Sequence, residues 1–156
     1  MPLPTPIVAG LAASMLTLTS AVAADVTATR PDSLIAALQN AGYQAKLTKD
    51  ATGDPMIESR AAGFRFRVVF FGCDNGANCN QVVFAAGFLT KEKPTLQDIN
   101  DWNYDKALSK GAIDKDGDPH LRAGLWLQQP VSEDYFKGFL EVWDSSLGEF
   151  AKRFVK

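Results

Sequence analysis

Apolar and polar residues alternate in several separate stretches of the chain, and each stretch reads as a strand with one buried face. The clearest is Phe64 to Phe71, where Phe64, Phe66, Val68 and Phe70 fall on one side and Arg65 and Arg67 on the other. Val82, Phe84, Ala86 and Phe88 repeat the pattern. Tyr43, Ala45 and Leu47 alternate with Gln44, Lys46 and Thr48, and the turn formers from Asp50 to Pro55 return the chain into a second strand, Met56 to Ala61. Near the C-terminus, strand-like residues at Gly111 to Ile113 lead through Asp114 to Pro119 into the alternating Leu121, Ala123, Leu125 and Leu127.

Three stretches instead carry the helical spacing of three and four. Leu34, Ile35 and Leu38 share a face, with Thr29 as N-cap, Pro31 in the first turn and Gly42 as the stop. Thr95 and Asp98 have the spacing of a capping box, opening a second helix that should run to about Leu108. Ser132 caps a third, in which Phe136, Phe139, Leu140, Trp143, Leu147, Phe150 and Phe154 form one broad apolar stripe. The order is α-β-β-β-β-α-β-β-α, which predicts an α+β domain built on an antiparallel sheet with flanking helices. Gly-Asp-Pro recurs at Gly53 to Pro55 and Gly117 to Pro119, each time after a helix and a strand. Internal duplication and the ordinary preferences of turns both account for that echo.

The first residues change where this domain is expected to work. Ile7 to Leu18 is apolar and ends in small residues through Ala21-Val22-Ala23-Ala24, so residues 1–24 read as a signal peptide and 25–156 as a single domain. The apolar stretch is shorter than the ~17–25 residues of a membrane-spanning helix. A periplasmic or secreted location follows, with no membrane contact after cleavage. In that compartment Cys73 and Cys79, the only cysteines, are expected to form a disulfide across the hairpin loop between the two most strand-like runs. They lack the Cys-x-x-Cys spacing of redox catalysts. A net charge of −2 argues against non-specific electrostatic binding to nucleic acid, which needs concentrated positive charge.

Candidate chemistry is sparse. Asp114, Asp116 and Asp118 resemble the opening of a calcium loop, yet Pro119 stands where such a loop needs glycine and Leu125 where it needs a closing glutamate. They remain metal candidates, against a solvated turn. His120, the only histidine, should face away from Leu121 into solvent. No nucleophile elbow, P-loop or dinucleotide fingerprint is present, so no cofactor is implied. Asp98, Asp101 and Asp105 lie near one another on the second helix, and Asn103 beside Trp102 should be a buried amide satisfied by backbone groups. Lys46, Arg60, Arg65 and Arg67 should share one face of the sheet, a basic surface open to an anionic ligand or partner.

The Gly-Asp-Pro turn, the Phe64 to Phe71 strand, the Gly72-Cys73 to Cys79 loop and Ile99-Asn-Asp-Trp102-Asn103 together resemble the YbjN family of bacterial proteins, over about Thr27 to Phe154. That resemblance implies a fold similar to type III secretion chaperones and a role in sensory transduction or in holding partner polypeptides, and it brings no catalytic residues. The resulting expectation is an exported, non-enzymatic binding protein, regulatory or chaperone-like. Its partner would be an unknown polypeptide or small ligand, with a homodimer left open. The rival is a small exported hydrolase working through Asp98, Asp101 or Asp116.

Overall fold

A computed structural model describes residues 25–155, and the signal peptide expected over 1–24 lies outside the described residues. The chain runs α1 (Pro31–Asn40), β1 (Ala45–Lys49), β2 (Pro55–Ala61), β3 (Phe64–Phe71), β4 (Gln81–Gly87), α2 (Leu96–Asp105), β5 (Lys110–Ile113), β6 (Pro119–Trp126) and α3 (Glu133–Phe154). This is the α+β order read from the sequence. The six strands form one sheet, β1-β2-β3-β4-β6-β5, antiparallel throughout.

Alternation fixes which side of the sheet is buried. Ile57, Phe66, Val68, Phe70, Val82, Phe84, Leu121 and Ala123 all point to one face, where Phe136, Leu140, Trp143, Leu147 and Phe150 of α3 meet them. Phe84 is the hub, with Phe66, Phe136, Phe139 and Trp143 ring centroids 5.0–6.2 Å away. Aromatic pairs at such separations add to the energy of burial itself. The helix α1 completes this layer through Leu34, Ala37 and Leu38.

Two boundaries differ from expectation, the start of α1 and the end of α2, while Gly42 stops α1 as read. The N-cap of α1 is Arg30, without a side-chain cap, while the Thr29 hydroxyl lies 3.1 Å from that of Thr27. Helix α1 ends at Asn40, and Gly42 takes a positive φ of 88° just beyond it. Helix α2 stops at Asp105, because Lys106 is extended and leads the chain toward β5. The capping box of Thr95 and Asp98 and the Ser132 cap form as read.

The two Gly-Asp-Pro turns are copies in detail. Asp50 Oδ1 accepts from the N–H groups of Thr52 and Asp54, and Asp114 Oδ1 from those of Asp116 and Asp118, all at 2.9–3.0 Å. Gly53 and Gly117 adopt φ of 92° and 81°, which glycine reaches at no steric cost.

Candidate functional site

None of the three helices packs on the second face of the sheet. Residues paired across strands share a face, so the register reads directly as rows running across this open surface. One row is Lys46, Glu58, Arg67, Ala85, Arg122 and Lys110, one residue from each strand in sheet order. Beside it lie Arg60 and Arg65, then Gly87 and His120. On the other side are an apolar row, Thr48, Met56, Val69, Val83 and Gly124, and then Phe71, Gln81 and Trp126. The open face is thus divided along a line perpendicular to the strands, cationic on one side and apolar on the other.

Six cationic side chains, Lys46, Arg60, Arg65, Arg67, Lys110 and Arg122, stand on this face with one carboxylate, Glu58. None of these seven groups belongs to an ion pair among the described residues. Arg60 donates to the Gly63 carbonyl at 3.3 Å. Between the cations the small residues Ala85 and Gly87 leave a depression of about 610 Å³, walled by Lys46, Glu58, Arg60, Arg65 and Arg67. In a protein of net charge −2, this is a strong local reversal of sign. The four cations read from the sequence are brought together as expected. Arg122 and Lys110 extend the set, and the alternation that placed Leu121 inward was the signal that would have found Arg122.

His120 also faces this side, as the sequence implied. Its ring lies over Gly87 so closely that a Cβ at Gly87 would fall 2.5 Å from Cε1, and Asp114 Oδ2 holds its Nε2 at 3.0 Å.

The acidic turn does not assemble into a cage. Asp114 is occupied by backbone N–H groups and His120, Asp116 pairs with Lys115, and Asp118 turns inward to accept from Thr90 N at 2.9 Å and from the Lys93 ammonium. Among the described residues no three His, Cys, Asp or Glu side chains come together in a way that could hold a metal ion. The Lys93 contact, followed by the Thr90 N–H, holds Asp118 below the ordinary carboxylate range. Asp114 is lowered chiefly by the Asp118 N–H and then by His120, Asp50 by the Thr52 hydroxyl, and Glu149 by Lys106. Every carboxylate that the fold clearly perturbs is therefore shifted down, opposite to the shift that readies a general acid near neutral pH.

On α2 the candidate carboxylates have separate tasks. Asp98 caps the helix through the Thr95 N–H and hydroxyl, and Asp101 accepts from Gln97. Asn103 is satisfied by backbone groups as the sequence suggested, though only partly buried, and its partner is specific: its Oδ1 accepts from Gly111 N at 2.7 Å while its Nδ2 donates to Gly111 O at 3.2 Å. A side chain thus pairs with the outer edge of β5 as a further strand would. Cys73 and Cys79 are joined in the β3–β4 loop, closing a ring of sequence separation 6. No described helix is long and apolar enough to cross a membrane.

Comparison with known proteins adds two findings. Residues 30–156 match the family described as "YbjN: Putative bacterial sensory transduction regulator". The fold is similar to a crystal structure of YbjN from E. coli, described as "a putative transcription regulator", with a TM-score of 0.57 and 15% identity over 78% of this chain and 88% of that one. At that identity the likeness concerns the fold. No curated protein matches the chain.

Proposed function

The chain belongs to the YbjN family, and from that premise we propose that it is an exported regulatory protein that acts by binding, without catalysing a reaction, and that the open sheet face is its binding surface. The observation that carries this reading is the row of cations across a face that none of the described helices covers, none of them in an ion pair among the described residues. Unpaired surface charge costs little in water and becomes favourable when an oppositely charged partner arrives, chiefly by speeding association and selecting among partners. The partner is accordingly anionic. Export is supported by the apolar leader and by the Cys73–Cys79 bond, which persists in an oxidising compartment.

Photo-crosslinking in the producing cell tests both parts. A crosslinker at Ala85, in the middle of the cationic row, should capture a discrete partner, while one at Glu141 on the exposed side of α3 should not. Equal labelling at the two positions, or none at either, sinks the open-face reading. The mass of the recovered protein decides export independently: a mature chain beginning near Asp25 supports it, and a full-length cytosolic chain refutes it.

A further inference from the structure

The two-sided division of the open face specifies the shape of its partner. We propose that the face receives an amphipathic α-helix of a partner polypeptide, lying across the strands with an acidic stripe over the Lys46–Lys110 row and an apolar stripe over Val69 and Val83, with Met56 beneath it already buried. This rests on the reading of the open face as the binding surface and adds the partner's class and orientation to it.

Rows on one face of a sheet are separated by two residues, about 6.6 Å, and a helix with its side chains is about 10–12 Å across. One helix therefore covers a cationic row and its apolar neighbour together. Strands are about 4.8 Å apart, so the cationic row crosses six strands in about 24 Å, the length of about 16 helical residues. Lys46, Arg67 and Arg122 stand on alternate strands, about 9.6 Å apart, close to the ~10.5 Å rise of seven residues along a helix. Acidic residues at seven-residue intervals would meet these cations in turn. Glu58, between Lys46 and Arg67, adds a repulsive position that penalises other registers.

The apolar side has room for such a helix. A Cβ built on Gly124 meets nothing within 4 Å, so the row is notched beside Val83, and Trp126, 58% exposed, stands at its border. Other occupants fit less of the surface. An extended peptide presents one row of side chains to the sheet, so it satisfies the cationic or the apolar band but not both. A bilayer would have to meet ammonium groups and valines at one depth. A small polyanion would fill the depression by Arg65 and leave the apolar band in water.

The test uses the purified protein and synthetic peptides of about 16 residues, the length set by the row. One carries glutamates at seven-residue intervals beside a leucine stripe. A second has the same composition permuted so that neither stripe survives, a third has lysine in place of glutamate, and polyglutamate serves as an unstructured polyanion. Trp126 reports binding by a blue shift in its emission, since Trp102 and Trp143 are already buried, and Trp126→Phe must remove that signal. The striped acidic peptide is expected to bind about tenfold or more tighter than the permuted one and to weaken with salt, while the lysine peptide should not bind. Ala85→Glu inserts a charge between Arg67 and Arg122, where opposite charges on neighbouring strands favour the fold, so it should abolish binding without lowering the melting temperature. Equal affinity for striped and permuted peptides, each lost in Ala85→Glu, overturns the helix and leaves the open-face reading standing. Binding of the peptides and polyglutamate that is absent, or indifferent to Ala85→Glu, overturns both.

Discussion

Replacing Asn103 tests whether one side chain holds the outer edge of the sheet to α2. Asn103→Ala removes two neutral hydrogen bonds, each worth roughly 0.5–1.5 kcal/mol net. The bonds are only partly buried, so water recovers some of the loss, and about 1–2 kcal/mol is expected. For a domain of this size that lowers the melting temperature by about 3–8 °C. Asn103→Asp is the sharper variant. It keeps the acceptor for Gly111 N–H but loses the donor to Gly111 O, so at neutral pH two oxygens face each other where a 3.2 Å bond stood. The ionised form is disfavoured, and the carboxyl should titrate above its ordinary value of about 3.9 in the folded state. A raised folded pKa means that the native state holds the proton more tightly, so stability is lost as pH rises through that pKa and regained below the ordinary value. In the protonated acid the O–H again donates to Gly111 O. Circular-dichroism melts of wild type, Asn103→Ala and Asn103→Asp at about pH 7 and about pH 4 give the comparison. The deficit of Asn103→Asp relative to wild type should shrink at the lower pH while that of Asn103→Ala stays constant. A deficit independent of pH, or Asn103→Ala melting with wild type, refutes the pairing.

Two further outcomes follow from local geometry. Asp118→Asn should be less stable than wild type above the ordinary aspartate pKa. Because the folded pKa of Asp118 is depressed, the difference should fade as pH falls through it, and urea titrations at about pH 7 and about pH 3 that show an unchanged gap would contradict this. Cys73→Ser with Cys79→Ser should cost about 2 kcal/mol or less, since the closed loop is short, with unchanged secondary structure by circular dichroism; global unfolding would show that the bond supports more than its own loop.

How far the residues themselves reveal this architecture depends on the range of the interaction. Alternation at Phe64 to Phe71 and the Thr95 and Asp98 box are local, and both formed as read. Hairpin register likewise brought Lys46, Arg60, Arg65 and Arg67 to one face, because β1, β2 and β3 follow one another in sequence. The pairing of β4 with β6 skips over α2 and β5, and no local pattern encodes it. Alternation gives the face on which Arg122 stands, but its place and that of Lys110 in the cationic row come only through that pairing, so the full row and its apolar neighbour could not be drawn from the chain alone. Asn103 shows the same limit: its spacing placed it beside the core, but Gly111 becomes its partner only once α2 lies against β5.

The edge contact of Asn103 also bears on how a sheet with one open face guards its margins. The outer strand of an open sheet offers unpaired backbone groups that identical chains can use to zip together into fibres. Here one outer strand is four residues long, and a side-chain amide occupies both backbone groups of its Gly111. The opposite edge, β1, is five residues long and carries Lys46 and Lys49, whose like charges resist pairing with a second copy. Both margins are blunted, so the broad surface between them can stay uncovered for a visitor without turning the protein into a template for its own polymer.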